Sequence, residues 1–223
     1  ASAVGDAVAA TQVMQPFDRL PKEAVDALRY RAEDAARAVC WLERASLPSA
    51  SQFVGLLQLN DGVALSKLAI RPLDGRTLTK TEAYACPILT GSYLSDAYQT
   101  LDLDSGVQIE RVAYPCFLLP FLSEISATSG CNIHVSWGTF EATVNERGVQ
   151  FSSGRKDVVC QQFDLIQIVH CNANREFRGI PVSRLQVNAG NLATLTDLAA
   201  RTYLPETELS QATGAGGGSV DDD

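Results

Sequence analysis

The sequence predicts an α+β fold, with helices first, a central antiparallel β meander, and then a C-terminal helix and a glycine-rich acidic tail. Apolar residues recur at three- and four-residue steps near the start of the chain, which is typical of helices. In the middle they alternate at two-residue steps, which is typical of half-buried strands. We expect an arm over residues 1–20, one domain over 21–203 and a tail over 204–223. The chain of 223 residues is long enough to bury a core of its own.

The first helix is predicted to begin at Pro21, because a proline lacks only an N–H that the first helical turn leaves unpaired anyway. Its apolar stripe at helical spacing consists of Ala24, Leu28, Ala32, Ala35, Val39 and Leu42. On the same helix, Glu33 and Asp34 are expected to be solvated and Trp41 to be a core aromatic. Pro48 ends this helix. A second helix is expected over residues 50–59, before an Asn-Asp-Gly turn.

The next part of the chain mixes turns, helices and a strand. Residues 71–75 are predicted to form a turn and residues 106–113 a strand. Residues 86–94 can be helical, and residues 115–126 are predicted to be a short and very apolar helix, which we expect to be buried.

The clearest strand signal lies between residues 131 and 137. One face carries Cys131, Ile133, Val135 and Trp137, and the other carries Asn132, His134 and Ser136. After Gly138 the apolar positions change phase to Phe140, Ala142 and Val144, as a bulge or a new strand requires. A hairpin turn is predicted at 145–148.

Two further strands are expected after the meander, over residues 158–170 and 180–187. A last helix is predicted to be capped by Asn191, to continue to Thr202 and to be ended by Pro205.

Composition excludes several classes of partner. With 18 basic and 26 acidic residues the formal net charge is −8, whereas nucleic acids and anionic membranes attract clustered positive charge. No run approaches the roughly 20 apolar residues of a membrane-spanning helix. The first twelve residues lack the basic residues of a secretory signal, and the six cysteines show no CxxC spacing. We therefore expect a cytoplasmic protein that binds neither nucleic acid nor membrane.

The cysteines and histidines are candidates for catalysis or metal binding, but their spacing in the sequence does not form a known motif. Cys86 and Cys116 each neighbour a proline, and either could be a nucleophile, although core packing is the favoured interpretation. His134 and His170 lie in predicted strands and could bind zinc or exchange protons. Paired ligands two to four residues apart are missing, so no metal site is predicted and no cofactor is identified.

The tail carries the least ordinary pattern. Glycines at 214, 216, 217 and 218 are followed by three aspartates at 221–223, and no GK[ST] follows the glycines, so this is not a phosphate loop. Arg175, Arg178 and Arg184 could hold a carboxylate substrate or pair with this tail. The alternative is a flexible acidic tail. The candidate ligand-binding residues are Tyr203, Glu208, Ser210, Gly214, Gly216, Gly217, Asp221, Arg175 and Arg178.

Four segments together resemble a bacterial family known as domain of unknown function 3726. They are RAEDAARAVCWLE at 31–43, ACPIL at 85–89, FLLPFL at 117–122, and RTYLPETELSQATGAGGGSVDDD at 201–223. The sequence departs from the family's pattern at Gln211, Gly217 and Asp222, where the pattern has arginine, alanine and asparagine. The resemblance implies a bacterial cytosolic setting in small-molecule catabolism, and it implies no particular reaction.

Three hypotheses of function follow. The first is a cytoplasmic protein or metabolic enzyme that binds a small polar metabolite, with the tail as a lid. The second is a non-catalytic accessory or assembly subunit, whose tail and apolar segment 116–122 dock on a partner enzyme. The third is a Cys/His metal-dependent enzyme. The expected partners are thus a small polar metabolite, a partner enzyme or, in a homo-oligomer, another copy of the chain.

Overall fold

A computed structural model describes residues 22–79, 84–153, 158–159, 161–171 and 188–200, with side chains described from residue 31 onward. The helices are α1 (Lys22–Arg44), α2 (Ser49–Asn60), α3 (Pro87–Ala97), α4 (Leu119–Ser129) and α5 (Ala189–Ala200). The strands are β1 (Arg71–Pro72), β2 (Thr77–Thr79), β3 (Val107–Ala113), β4 (Asn132–Trp137), β5 (Phe140–Asn145), β6 (Gly148–Ser153) and β7 (Gln162–Cys171). The predicted α+β class is confirmed.

The strands form one mixed sheet in the order β1-β2-β3-β7-β4-β5-β6. Strands β2 and β3 are parallel, and the other neighbours are antiparallel. The predicted meander is present as β4-β5-β6, but it is only part of the sheet. Strand β7 returns to lie between β3 and β4, where Ile166 and Ile168 are fully buried. A strand that buries two isoleucines in this way gains more at the centre of a sheet than at its edge.

The predicted apolar patterns coincide with the core. On α1, the described members of the stripe (Ala32, Ala35, Val39 and Leu42) are all buried. On the sheet, Ile133, Val135 and Trp137 of β4 are buried on the face that α4 covers. The apolar segment 115–126 is a 3₁₀ turn, Pro115–Leu118, that runs into α4, and all of it except Glu124 is buried.

The change of phase after Trp137 marks a new strand and not a bulge. Trp137 pairs with Phe140 across a two-residue turn, in which Gly138 has a φ of 53°. Their rings stack with centroids 3.9 Å apart. The tight turn therefore places both aromatic rings on the buried face.

A carboxylate of α1 organises the start of α2. Oε1 of Glu43 accepts hydrogen bonds from the Ser49 amide at 3.2 Å, the Ser49 hydroxyl at 2.6 Å and the Ala50 amide at 3.3 Å. Helix α2 begins after Pro48 and has no acidic residue in its first turn. Glu43 thus supplies the acceptor that an N-cap side chain would otherwise supply.

Three predicted details differ in the structure. The turn predicted at 71–75 begins as a strand, because Arg71 and Pro72 form β1, which pairs with β2; both strands are too short to show a periodicity. Helix α5 is capped by Asn188 and not by Asn191, because Oδ1 of Asn188 accepts the Asn191 amide at 2.7 Å. Cys131 lies just before β4 and is half-buried. The expected arm, the strand at 180–187 and the tail lie outside the described residues.

No helix in the described ranges combines the length and the apolar character that crossing a membrane requires.

Candidate functional site

The ligand-binding residues that the sequence predicts are not placed by the structure. Arg175, Arg178, Tyr203, Glu208, Ser210, Gly214, Gly216, Gly217 and Asp221 all lie outside the described residues, as does Arg184. The tail site therefore stays a prediction.

The two candidate nucleophiles are core residues. Cys86 and Cys116 are buried, with 2% and 3% of their surface exposed. Burial raises the pKa of the Cys86 thiol, and it raises the pKa of Cys116 to about 12. Because only the thiolate attacks, these neutral thiols are poor nucleophiles at pH 7, and core packing is the role that the structure supports.

The two histidines do not come together. His134 is half-buried on the face of β4 opposite α4, and His170 lies at the end of β7. Nδ1 of His170 is 2.9 Å from Oδ1 of Asp104, and Nε2 is buried without a hydrogen-bond partner among the described residues. In the part of the chain with described side chains, no group of three or more His, Cys, Asp and Glu could hold a metal ion.

A cleft between α1, α3 and α4 brings together polar side chains from three helices. It consists of two adjoining pockets of about 350 and 410 Å³, and both are lined by Asp34, Arg37, Phe121 and Glu124. The first, which we call the Trp41 pocket, is also lined by Ala36, Ala38, Cys40, Trp41, Arg44 and Pro120. The second, which we call the Ser95 pocket, is also lined by Arg31, Ser92, Ser95 and Asp96.

The sequence of α1 explains why its side chains share this cleft. Asp34, Arg37, Trp41 and Arg44 follow each other at steps of three, four and three residues, so they lie on one face of the helix. The buried stripe of α1 runs beside this face. Helix α1 therefore packs on the core with one face and forms the cleft wall with the next.

A chain of polar contacts crosses the cleft from α3 through α1 to α4. The Ser92 hydroxyl of α3 lies 2.8 Å from Oδ2 of Asp34, and the other oxygen of Asp34 accepts a hydrogen bond from Arg37. The second terminal nitrogen of Arg37 is 3.3 Å from Oε1 of Glu124 on α4. Arg37 thus bridges two carboxylates on different helices, at the place where the two pockets meet.

Burial and neighbouring charges shift the titration of this network. Burial raises the pKa of Glu124, the charge of Arg37 opposes that shift, and the charge of Asp34 adds to it. Burial would lower the pKa of Arg37, but its hydrogen bond to Asp34 and the charge of Glu124 raise it overall. Arg37 therefore stays charged, and Glu124 takes up a proton more readily than an ordinary glutamate.

Three other polar groups in the cleft lack a partner of one kind or another among the described residues. The Ser95 hydroxyl oxygen is buried and makes no hydrogen bond within the described residues. Arg31 and Arg44 form no ion pair with any described residue, although each lines one pocket. A buried hydroxyl without a partner costs free energy that a bound molecule or water can recover.

Two expectations about α1 are corrected by this cleft. Trp41 is half-buried and not a fully buried core aromatic, since it packs against the core and also lines the Trp41 pocket with Pro120 and Phe121. The side chain of Asp34 is only 20% exposed, because Ser92 and Arg37 cover it. In the sequence, this face of α1 is indicated only by the helical spacing of its charged residues beside the apolar stripe. The partners on α3 and α4 are distant in sequence, so no local pattern identifies them.

The N-terminal part of the chain has a recognisable family match. Residues 22–83 match the family model described as "Protein of unknown function (DUF3726)". All of the α1 residues that line the cleft lie within this range, whereas α3 and α4 lie beyond it. No curated protein and no solved structure matches the chain. The resemblance to the DUF3726 family is thus confirmed over residues 22–83, which include the segment at 31–43, whereas the segments at 85–89, 117–122 and 201–223 lie outside the match.

Proposed function

We propose that this protein binds a small organic molecule in the cleft between α1, α3 and α4. The observation that carries the proposal is the junction of the two pockets, where three helices contribute Ser92, Arg37 and Glu124 to one polar network. Apolar walls with a few convergent polar groups are typical of small-molecule sites, and each pocket has the volume of one.

The network leaves room for a ligand to compete. The side chains of Arg37 and Glu124 are 60% and 47% exposed, and ion pairs with such exposure contribute about 0–1 kcal/mol. A ligand with a charged or hydrogen-bonding group can therefore replace one side of the pair at little cost. The Ser95 hydroxyl, which has no hydrogen-bond partner in the described part of the chain, offers a further hydrogen bond in the adjoining pocket.

The wider proposal is a cytoplasmic protein of bacterial small-molecule metabolism, in which the tail over 204–223 acts as a lid. It rests on the resemblance and on the glycine and aspartate pattern of the tail. Deleting residues 214–223 should abolish ligand-induced thermal stabilisation, and unchanged stabilisation would remove the lid from the proposal.

The apolar segment 116–122 packs into the core of this chain. Cys116, Phe117, Leu118, Leu119, Phe121 and Leu122 are at most 3% exposed, and this burial argues against a docking role for the segment. An accessory or assembly role that uses other parts of the chain stays a prediction.

A metabolite screen tests the binding proposal. Ligands are sought by thermal shift on the full chain and on Ala36→Trp, which fills the Trp41 pocket without changing charge. Ala127→Trp is the matched control, because Ala127 is exposed on α4 and lines neither pocket. We expect ligands that stabilise the wild type and Ala127→Trp but not Ala36→Trp. Ligands that stabilise all three equally, or no ligand at all, would contradict binding in this cleft.

A further inference from the structure

The Trp41 pocket contains one cation, Arg44, that none of the described residues neutralises. Arg37 is held between Asp34 and Glu124, whereas no described residue forms an ion pair with Arg44. Arg44 lies seven residues further along α1, which corresponds to roughly 10 Å at 1.5 Å per residue. The free guanidinium is therefore at one end of the pocket and the carboxylates are at the other.

Between these two ends the walls are apolar. Trp41 comes from α1, and Pro120 and Phe121 come from the first turn of α4. A pocket of about 350 Å³ holds on the order of a dozen non-hydrogen atoms, at roughly 30 Å³ for each. That is the size of a single aromatic ring with a short side chain.

The two ends favour opposite groups. A guanidinium binds a carboxylate through two parallel hydrogen bonds, and such charge-assisted bonds are stronger than neutral ones. At the opposite end, Asp34 and Glu124 outnumber Arg37, so a second carboxylate there would be repelled. The carboxylates of Asp34 and Glu124 can instead accept a hydrogen bond from a donor group of the ligand.

We propose that the Trp41 pocket binds an organic monocarboxylic acid, whose carboxylate pairs with Arg44 and whose apolar body packs on Trp41, Pro120 and Phe121. This inference rests on the proposed function and narrows it to one ligand class. The Ser95 pocket is a poorer site for an anion, because its three carboxylates outnumber its two arginines, Arg31 and Arg37.

The two tryptophans make the proposal measurable by fluorescence. Trp41 lies in the pocket, and Trp137 is only 2% exposed in the core. The probes are phenylacetate, its neutral analogue phenylacetamide, the cation phenethylamine and the dicarboxylate 1,4-phenylenediacetate. We expect phenylacetate to change the fluorescence of the full chain, with at least tenfold weaker binding of each of the other three. Trp41→Phe should abolish the change and leave the Trp137 signal.

Variants of Arg44 test whether this residue is the source of the preference for a carboxylate. Arg44→Gln should weaken phenylacetate about ten- to a hundredfold and leave phenylacetamide unaffected, because only the charge-assisted bonds are lost. Arg44→Lys should weaken phenylacetate less, since the charge is kept and the two-pronged geometry is lost. Arg147→Gln is the control, because Arg147 is exposed in the β5-β6 turn and pairs only with Glu146 among the described residues. Circular dichroism melts establish that each variant folds.

Failure of this inference can be told apart from failure of the proposed function. Equal binding of phenylacetate and phenylacetamide, preference for phenethylamine, or indifference to Arg44→Gln would each overturn the organic-acid assignment. If metabolites bind the wild type and not Ala36→Trp while phenylacetate does not bind, the assignment is wrong and the cleft remains a ligand site. If nothing binds in the cleft, both proposals are wrong.

Discussion

Gly91 of α3 lies directly against the ring of Phe121 on α4. A Cβ atom added to Gly91 would be 2.2 Å from Cδ2 and 2.5 Å from Cγ of that ring. Because Phe121 lines both pockets of the cleft, the missing side chain at Gly91 sets how closely the two helices approach and where the floor of the cleft lies.

Replacing Gly91 with alanine should therefore destabilise the protein, although alanine is the better helix former. Overpacking of a core contact typically costs 1–3 kcal/mol, which exceeds the gain of about 1 kcal/mol in helix propensity. The free energy of unfolding from urea titration measures the difference. Gly190→Ala on α5 is the control, because its nearest atom would be Oδ1 of Asn188 at an ordinary 3.5 Å. We expect Gly190→Ala to be neutral or stabilising, and a stable Gly91→Ala would contradict the close contact.

The carboxylate of Glu43 should contribute measurably to stability through the first turn of α2. Glu43→Ala removes the acceptor of two backbone amides and one hydroxyl, and loss of such a cap costs about 0.5–2 kcal/mol. Glu43→Gln keeps a carbonyl oxygen as acceptor, so we expect a smaller loss. Equilibrium denaturation compares both with Glu146→Ala, which changes an exposed turn glutamate. Equal losses for Glu43→Ala and Glu146→Ala would exclude the capping role.

The raised pKa of Glu124 should make the folded protein less stable as the pH rises. In the folded protein Glu124 keeps its proton at pH values above its ordinary pKa of 4.5. Between that value and the raised pKa, the folded protein therefore binds more protons than the unfolded chain. The corresponding stabilisation is present below pH 4.5 and is lost as the pH rises through the raised pKa. Because the side chain is half-exposed, the effect should stay below about 1 kcal/mol. The melting temperature of the wild type relative to Glu124→Gln should fall between pH 4 and pH 7, and a rise would refute the shift.

The cysteines should differ strongly in their reaction with alkylating agents. Cys86 and Cys116 are buried with raised pKa values, whereas Cys40, Cys131 and Cys171 are half-buried. Reaction with iodoacetamide at pH 8, followed by peptide mass spectrometry, should label the half-buried group first. Cys86 and Cys116 should react at a comparable rate only in denaturant. Fast native labelling of Cys116 would show that it is an accessible thiolate.

Local patterns predicted the elements that bury one face. The stripe through Ala35 and Leu42 and the alternation through Ile133 and Val135 each place an apolar side chain on the core at a fixed period. The predicted second helix and the observed α2 (Ser49–Asn60) agree to within one residue at each end.

Long-range pairing was not visible in the sequence. The apolar residues of β7 change phase between Leu165 and Ile166, and nothing in this pattern specifies insertion between β3 and β4. The cleft has the same origin, since Arg37 and Glu124 are 87 residues apart and meet only because α1 and α4 pack together. Short strands such as β1 and β2 carry too few residues for a period.

The central place of β7 has a consequence for the order in which the sheet assembles. Strands β1 to β3 do not pair with strands β4 to β6, so the two groups are joined only through β7, which pairs with β3 on one side and with β4 on the other. Synthesis must reach Cys171 before the two halves can become one sheet, and the pairing of Val107 with Ile168 must close a loop of about sixty residues. The folding rate should therefore be set by the pairing of β7 with β3, while the β4-β5-β6 hairpins form before that step.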